Sequence, residues 1–227
     1  MSSQIEYLDI GLCEYKSAWK IQEEKHAEMI GMKESLIDNN FAGFLIFCEH
    51  PHVFTIGKSG QSNNLLIDDN FLNKINASFY KSDRGGDITY HGPGQLVGYP
   101  VFDLTKLNTG VKNYISKIEE AIILALDDYN IKASRLAGAT GVWLDAGTQN
   151  ARKICAIGVK VGKAITMHGF ALNVNTDLKY FSYINPCGFV DKGVTSIEHE
   201  LKIKLETEDV KSNVREKVCK VFSLKIR

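Results

Sequence analysis

Two apolar stretches near the middle of the chain, KICAIGVKV (153–161) and AITMHGFALNVN (164–175), are separated only by Gly162 and Lys163. Antiparallel strands can be joined by two residues, whereas parallel neighbours need a crossover of a dozen or more. The spacing therefore predicts a β-hairpin and argues against a doubly wound parallel sheet.

The rest of the sequence contains more strand-like runs than helical ones. Short apolar or alternating runs predict strands at 44–49, 53–56, 77–82, 87–91, 95–104 and 141–145. Helical periodicity extends from Glu14 to about Ile37, from Val111 to Tyr129, and onward from Thr207, which is a candidate N-cap. We therefore predict an α/β protein of the α+β type, in which residues 1–227 form a single domain with a mixed, largely antiparallel β-sheet flanked by helices.

Charge and cysteine usage limit the partners and the location. Lys plus Arg and Asp plus Glu both number 27, so no global field attracts nucleic acid or a membrane surface. The N-terminus lacks the pattern of a signal or transit peptide, and no apolar stretch approaches the roughly 20 residues that span a bilayer. These features predict a cytoplasmic protein. Five cysteines without a CxxC pair predict neither a disulfide framework nor a zinc ribbon.

The segment RGGDITYHGPGQ (84–95) places four glycines and a proline between strand-like runs. Glycine permits positive φ and close approach of the backbone to a ligand, so a loop opened by Arg84 could cradle an anion or a carbonyl group. Two tight turns between strands would explain the same residues. Upstream, TIGKSG (55–60) lacks the first glycine of a phosphate-binding P-loop because His52 occupies that position, and no GxGxxG motif is present.

Two histidines, His50 and His52, are the nearest approach to a metal-binding pair, with His91 and His168 as further candidate ligands. Pro51 interrupts the strand geometry that would point both rings to one face, and no carboxylate or thiolate stands at ligand spacing. We therefore expect structural histidines and no metal.

Cys187 lies in YINPCGF (183–189), where Pro186 and Gly188 predict a β-turn with the cysteine at its exposed apex. It could be a nucleophile, a metal ligand or a small apolar residue in a bend. A thiol is nucleophilic only as thiolate, which requires a nearby cation or base. Lys153, at the head of an apolar strand, could be desolvated and act as that base, although lysines at strand ends are commonly just solvated.

Five segments that follow one another in the chain resemble the lipoyl(octanoyl) transferase family. They are EHPHVFTIGKSG (49–60), RGGDITYHGPGQLVGYP (84–100), KICAIGVKV (153–161), HGFALNVNTDL (168–178) and INPCGF (184–189). The resemblance implies the fold shared with lipoate- and biotin-protein ligases, a mixed sheet flanked by helices. It also implies transfer of an octanoyl group from octanoyl-acyl carrier protein to a lysine of lipoyl domains, such as the glycine cleavage H protein and 2-oxoacid dehydrogenase E2 subunits.

The same resemblance implies the site residues. A cysteine acyl-enzyme would form on Cys187 with Lys153 as the motif lysine, and neither ATP, metal nor another cofactor would be needed. The implied acyl-binding loop consists of Arg84, Gly85, Gly86, Asp87, Ile88, Thr89, Tyr90 and His91. Further substrate contacts are implied for Ala156, Ile157, Gly158, Gly169, Phe170 and Ala171. Tyr90, His91 and Phe170 are candidates to line an apolar slot for the chain.

Both partner proteins in this pathway are typically acidic, so a basic rim is expected. The candidates are Lys58, Arg84, Arg152, Lys160 and Lys163, for which ordinary solvated surface is the alternative. Three other functions stay open. An ATP-dependent lipoate- or biotin-protein ligase would share the fold and the lysine but have no use for Cys187. An amidotransferase would move octanoyl groups between lipoyl domains through a cysteine, and a silent binding module would lack a reactive thiol.

Overall fold

The computed structural model describes residues 3–35, 40–185 and 193–227. Within these ranges the strands are β1 (Ser3–Leu12), β2 (Phe41–Glu49), β3 (Val53–Ile56), β4 (Ser78–Lys81), β5 (Ile88–His91), β6 (Gln95–Phe102), β7 (Ala133–Leu136), β8 (Ala139–Leu144), β9 (Arg152–Gly162), β10 (Ile165–Asn173), β11 (Gly193–Val194) and β12 (Leu224–Ile226). The helices are α1 (Tyr15–Glu34), α2 (Asp69–Lys74), α3 (Val111–Asp127), α4 (Ile197–Leu201) and α5 (Thr207–Phe222).

A nine-stranded sheet forms the body of the fold. Its strands follow the order β12-β1-β2-β6-β10-β9-β8-β7, and the short β11 lies beside β9. β1 runs parallel to both β2 and β12, and β11 runs parallel to β9. The other neighbours are antiparallel. The predicted mixed, largely antiparallel sheet flanked by helices is therefore confirmed.

The predicted hairpin is present as β9 and β10, in which Gly162 pairs with Ile165. Its two loop residues are Lys163 and Ala164, with φ of 52° and 65°. The expected loop of Gly162 and Lys163 is thus displaced by one residue, because β9 extends through Gly162. Successive positive φ values give a turn whose twist matches that of the strands. Neither loop residue is glycine, so this turn is held by the pairing of the two strands and not by the conformational preferences of its own residues.

The central strands are buried on both faces. Leu45 and Phe47 of β2 pack in the cluster that contains α3 and α5, whereas Phe44 and Ile46 pack in the cluster that contains residues of α1. Alternate residues of a strand point to opposite faces, so this two-sided burial explains the uninterrupted apolar sequence of β2. A one-residue slip would exchange the two sets of side chains, and the helices on both faces therefore fix the register.

The ends of the helices differ slightly from the periodicity. Helix α1 ends at Glu34 and α3 at Asp127. The expectation that Thr207 caps α5 is wrong, because Thr207 is its first helical residue and Glu206 holds the cap position without a side-chain hydrogen bond to the helix. No helix in the part of the chain that the structure describes is long and apolar enough to cross a membrane.

A second sheet, with strand order β4-β3-β5, carries the glycine-rich segment between β4 and β5. This segment folds back on the residues that follow β3. The backbone N–H groups of Gly57, Lys58 and Ser59 donate to the carbonyl oxygens of Asp87, Arg84 and Gly86. A Cβ on Gly57 would lie 2.4 Å from the carbonyl oxygen of Gly86, so this close approach requires glycine.

Candidate active site

A cavity of about 330 Å³ lies between the large sheet and the small one. Residues of β6, β9 and β10 line one side, and residues of the segment 84–91 line the other. The volume falls in the range of about 300–1,000 Å³ that is usual for small-molecule sites. The cavity is therefore the candidate active site.

The β9–β10 hairpin gives the cavity a flat floor of small residues. Gly169 pairs with Gly158 and Ala171 pairs with Ala156, and all four line the cavity. Leu172, at an alternate position, lies in the core cluster on the other side of the sheet. The two alanines present little side-chain volume to the cavity, while the two glycines allow neighbouring backbone to approach the sheet, since a Cβ on Gly158 or Gly169 would lie 2.7 Å or 2.2 Å from a carbonyl oxygen.

Lys153 reaches this side of the sheet because β9 contains a β-bulge. Val142 of β8 pairs with Cys155, but the next residue of β8, Trp143, pairs with Lys153, so Ile154 is the extra residue. Ile154 and Cys155 are both fully buried in the core cluster. Two successive core-facing residues shift the alternation by one position, and this returns Lys153 to the cavity, which it lines.

Lys153 is partly buried beside an aromatic ring. Its Nζ lies 4.7 Å from the centroid of the Trp143 ring. Burial lowers the pKa of Lys153 from its ordinary value, with a smaller opposing effect from Cys155. A lysine with a lowered pKa is a free amine for a larger fraction of the time at neutral pH, as a general base must be.

The Arg84 guanidinium holds the glycine-rich loop to the small sheet. Its Nη2 donates to the carbonyl oxygen of Thr55 at 2.6 Å and to Oγ1 of Thr55 at 2.9 Å, and its Nη1 donates to the carbonyl oxygen of Gly85 at 3.0 Å. Arg84 is buried, and burial lowers its pKa from the ordinary value. The loop opened by this arginine is thus fixed by the arginine itself.

The strand alternation of β5 divides the predicted loop residues between two environments. Thr89 and His91 line the cavity, whereas Tyr90 is fully buried in a separate cluster that contains Phe54 and lies outside the cavity lining. Tyr90 was a candidate slot residue, and this is wrong because alternate side chains leave opposite faces of a strand. Gly85 also lies outside the lining, since its backbone N–H donates to the carbonyl oxygen of Val159 at 2.9 Å.

The structure brings the other predicted substrate-binding residues together around the cavity. They are Arg84, Gly86, Asp87, Ile88, Thr89, His91, Ala156, Ile157, Gly158, Gly169, Phe170 and Ala171.

His91 is held in one tautomer by a buried hydrogen-bond chain. Gln95 donates through Nε2 to Oδ1 of Asn173 at 2.9 Å, which turns its Oε1 toward Nδ1 of His91 at 2.8 Å. Because Oε1 can only accept, Nδ1 carries the proton. Burial holds the pKa of His91 well below its ordinary value, so the ring is neutral.

Cys187 lies outside the described residues. Ile184, which precedes it, and Gly193 and Val194, which follow it, line the cavity. Val194 lies beside Lys153 in the pairing of β11 with β9. The described ends of the segment that contains Cys187 therefore both reach the cavity, one of them at Lys153.

The four cysteines in the described part of the chain have properties unlike those of nucleophiles. Burial raises the pKa of each thiol, and the residues concerned are Cys13, Cys48, Cys155 and Cys219. None of them gains the thiolate character that a nucleophile needs.

The two histidines considered as a metal pair are engaged in hydrogen bonds. Nδ1 of His50 donates to the carbonyl oxygen of Cys13 at 2.6 Å, and its Nε2 accepts from the Tyr99 hydroxyl at 2.7 Å. His52 makes hydrogen bonds to the Tyr90 and Tyr180 hydroxyls. Across residues 3–35, 40–185 and 193–227, no group of three or more His, Cys, Asp or Glu side chains is arranged to hold a metal.

Most of the expected basic rim is committed to contacts within the protein. Arg84 is buried, while Arg152 pairs with Asp145 and Glu200. Lys160 and Lys163 also pair with carboxylates, and Lys58 is exposed. Four of the five candidate residues are therefore buried or paired with carboxylates, and a basic rim at the cavity stays a prediction.

Several cavity residues were missed by the sequence interpretation. Tyr15, Gln95, Tyr99, Trp143 and Asn173 all line the cavity. The alternation within the predicted strand 95–104 would have placed Gln95 and Tyr99 on one face. Tyr15 carries no such local signal, because it comes from a helix that is distant in sequence.

Comparison with known proteins finds a family model and relatives that match most of the chain. The family model described as the lipoyl protein ligase A/B catalytic domain matches residues 14–219. An octanoyltransferase of Bacteroides thetaiotaomicron is 50% identical over 207 residues, which cover 91% of this chain and 90% of the relative. An octanoyltransferase of Parabacteroides distasonis is 52% identical over 223 residues, covering 96% and 98%.

Solved structures share the fold at low sequence identity. The bipartite lipoate protein ligase of Thermoplasma acidophilum, described with its E2 lipoyl domain, superposes with a TM-score of 0.73 at 16% identity and covers 99% of this chain and 86% of its own. The biotin protein ligase of Aquifex aeolicus, in complex with biotin and ATP, has a TM-score of 0.53 at 12% identity, with coverage of 97% and 70%. The expected relation to lipoate- and biotin-protein ligase catalytic domains is confirmed at the level of fold.

Proposed function

The chain belongs to the octanoyltransferase family, and on this basis we propose that it transfers octanoyl groups in the cytoplasm from octanoyl-acyl carrier protein to the target lysine of lipoyl domains. The proposal treats residues 1–227 as one catalytic domain. The main observation that supports the proposed function is the position of Lys153. This lysine has a lowered pKa, lines the cavity, and lies beside β11, the strand that follows Cys187 in the chain.

The first half-reaction loads the enzyme. Lys153 takes the proton of the Cys187 thiol, and the thiolate attacks the carbonyl carbon of the octanoyl thioester. A new C–S bond forms to Cys187 as the bond to the carrier sulfur breaks, and Lys153 returns the proton to the departing carrier thiolate. One thioester replaces another, so the exchange is nearly isoenergetic and requires no ATP.

The second half-reaction delivers the acyl group. Lys153, again a free amine, takes a proton from the ammonium group of the incoming lysine, which becomes the nucleophile. Its nitrogen forms the amide bond, the C–S bond to Cys187 breaks, and the second proton of the amine goes to the cysteine sulfur. An amide is more stable than a thioester, and the step therefore runs downhill.

The floor of the cavity suits an octanoyl chain. Ala156, Gly158, Gly169 and Ala171 present little side-chain volume and no charge. Removing methylene groups from water contributes roughly 0.8 kcal/mol for each CH₂, so seven carbons supply several kcal/mol of binding free energy. This binding is independent of nucleotide, in keeping with a thioester donor.

The decisive experiment is to incubate the protein with octanoyl-acyl carrier protein, without ATP, and to measure its intact mass. We expect the mass to increase by one octanoyl group, and the increase to be lost in Cys187→Ser. Cys219→Ser is the matched control and should acylate normally, because Cys219 is on α5, on the other side of the sheet. A wild-type protein that gains no mass here but octanoylates a lipoyl domain with ATP and free octanoate would instead be a ligase.

The role of Lys153 is tested separately with Lys153→Met, which keeps an apolar stem beside Trp143. Loss of a general base should slow both half-reactions by about 10²–10⁴-fold in single-turnover assays. Lys132→Met, which removes an exposed lysine paired with Asp127, is the control and should retain wild-type rates. Wild-type rates in Lys153→Met would rule out the acid–base role.

A further inference from the structure

A carboxylate outside the residues assigned to the reaction joins the glycine-rich loop to the floor of the cavity. Asp83, directly before Arg84, accepts a hydrogen bond from Nε2 of His168 at 2.7 Å and another from Nζ of Lys160 at 2.5 Å. Lys160 belongs to β9 and His168 to β10. One side chain at the start of the loop therefore contacts both strands of the hairpin.

His168 is held in an unusual conformation. Its φ is +57° within β10, although it is not glycine, and its side chain is almost fully buried while lining the cavity. Its backbone N–H donates to Oε1 of Gln22 on α1 at 2.9 Å. Backbone strain of this kind costs free energy and is found preferentially at functional sites, where surrounding contacts enforce it. Here the enforced conformation directs the ring to Asp83.

The loop closes one end of the cavity where it crosses β9. The backbone N–H of Gly85 donates to the carbonyl oxygen of Val159 at 2.9 Å. A Cβ added to Gly158 would lie 2.7 Å from the carbonyl oxygen of Gly85 and 3.3 Å from Cδ of Arg84. No ligand fits between loop and floor at this point. His168 pairs with Val159 immediately beyond it.

The distance between Lys153 and this closed end has the scale of a medium-length acyl chain. Lys153 and Gly158 are five positions apart on a bulged strand, or roughly 13–17 Å at about 3.3 Å per residue. A staggered octanoyl chain has seven C–C bonds of about 1.5 Å and spans about 9 Å. A palmitoyl chain would span about 19 Å in the same geometry and would meet the loop.

We propose that Asp83 and His168 are positioning residues that fix the closed end of the cavity and thereby make the enzyme select octanoyl over acyl chains as long as palmitoyl. The inference rests on the proposed function, because it takes the cavity to be the acyl site. Neither residue is assigned a part in proton transfer.

The contacts of the loop explain why loosening this end should leave the fold intact. Arg84 and the backbone bonds from Gly57, Lys58 and Ser59 attach the loop to the small sheet. By contrast, the Asp83 carboxylate is a side-chain attachment of the loop to the hairpin. Its removal weakens the closure between loop and floor while the attachments to the small sheet remain.

The test measures chain-length selectivity in the full-length protein. Acyl-enzyme formation is followed with octanoyl-, dodecanoyl- and palmitoyl-acyl carrier protein, and kcat/KM for each donor is compared between the wild type, Asp83→Ala and His168→Asn. We expect the preference for octanoyl over palmitoyl to fall by about tenfold in both variants, a size typical of pocket discrimination between alkyl chains, whereas dodecanoyl, which spans about 14 Å and fits the available length, should change little. The loss should arise mainly in KM, with kcat for octanoyl little changed.

Two further variants separate positioning from general stability. Asp83→Asn keeps oxygen and nitrogen atoms near His168 and should retain most of the selectivity. Glu34→Gln removes a carboxylate that pairs with Lys163 at the hairpin turn, outside the cavity lining, and should behave as wild type. His168→Asn is informative even if Asp83→Ala fails to fold, since asparagine tolerates positive φ.

Each outcome has a defined meaning. Folded Asp83→Ala and His168→Asn proteins with the wild-type ranking of donors would overturn the inference while leaving the proposed function intact. A wild-type protein that forms no acyl-enzyme would instead contradict the proposed function. In that case calorimetric binding of octanoate, dodecanoate and palmitate to the same variants decides whether the closed end sets chain length, because it requires no reaction.

Discussion

Acidification is expected to destabilise the protein through His50. The ring is fully buried, and its hydrogen bonds to Cys13 and Tyr99 occupy both nitrogens. Burial lowers the pKa of His50 from 6.5 to about 4, against a weaker opposing effect of the bond to Cys13. The folded protein therefore keeps the ring neutral at pH values where the unfolded chain binds a proton.

The sign and size of the effect follow from this difference. Since the unfolded chain binds more protons between about pH 6.5 and about pH 4, the free energy of unfolding falls as the pH is lowered through that window. One pKa unit corresponds to about 1.4 kcal/mol, so His50 alone accounts for about 3 kcal/mol over the window. Burial lowers the pKa of His91 as well, and this adds to the loss in the same direction.

Urea denaturation of the wild type and of His50→Gln, at intervals from about pH 7.5 to about pH 4.5, measures the contribution. His50→Gln should be less stable at neutral pH, because a buried hydrogen-bonded ring is lost. Its free energy of unfolding should fall less steeply with acid, by about 1.4 kcal/mol per pH unit inside the window. Above about pH 7 the two curves should run parallel. Equal slopes inside the window would refute the assignment of a neutral, buried His50.

Two further predictions concern the centre of the sheet and the ion pair between Arg152 of β9 and Glu200 of α4. Gly98→Ala would place a Cβ 2.2 Å from the Phe170 ring, and overpacking of this kind should lower the free energy of unfolding by about 1–3 kcal/mol, seen as a lower urea midpoint with an unchanged m-value. An unchanged midpoint would mean that the ring moves freely. Hydrogen bonds, above all from Arg152, hold the pKa of Glu200 below its ordinary value of 4.5, so wild-type stability from this carboxylate should be lost as the pH falls below about 4.5. Glu200→Gln should lack that part of the pH dependence of the free energy of unfolding. An identical loss of stability below about pH 4.5 in both proteins would contradict this prediction.

The sequence predicts the central strands well because their signal is local. Runs such as those of β2 and β6 are apolar except for one terminal residue each, Glu49 and Gln95, and burial on both faces requires this. β1, β7, β11 and β12 were not predicted. β11 and β12 are only two and three residues long, and β1 and β7 carry many partly exposed residues, so neither periodicity nor apolar content distinguishes them from loops.

The candidate site was predictable in its residue types and less so in its geometry. Lys153 and the glycine-rich loop stand out in the sequence, but the bulge that aims Lys153 depends on how β8 pairs with β9. The hydrogen bond between Asp83 and His168 joins residues 85 positions apart. Such contacts are products of the tertiary fold, and no local pattern encodes them.

Because of the bulge at Ile154, the number of residues in β9 determines which side of the sheet Lys153 faces. Inserting one residue between Lys153 and Ile154, with the bulge kept in place, would leave every reactive group in the sequence, yet it would turn the lysine toward the side where α3 and α5 pack. Such an insertion should therefore inactivate the protein as thoroughly as losing the amine, whereas deletion of Ile154 restores regular alternation with the lysine still on the cavity side. In engineering, insertion and deletion libraries here would separate the contribution of register from that of residue identity, which point-substitution scans leave mixed.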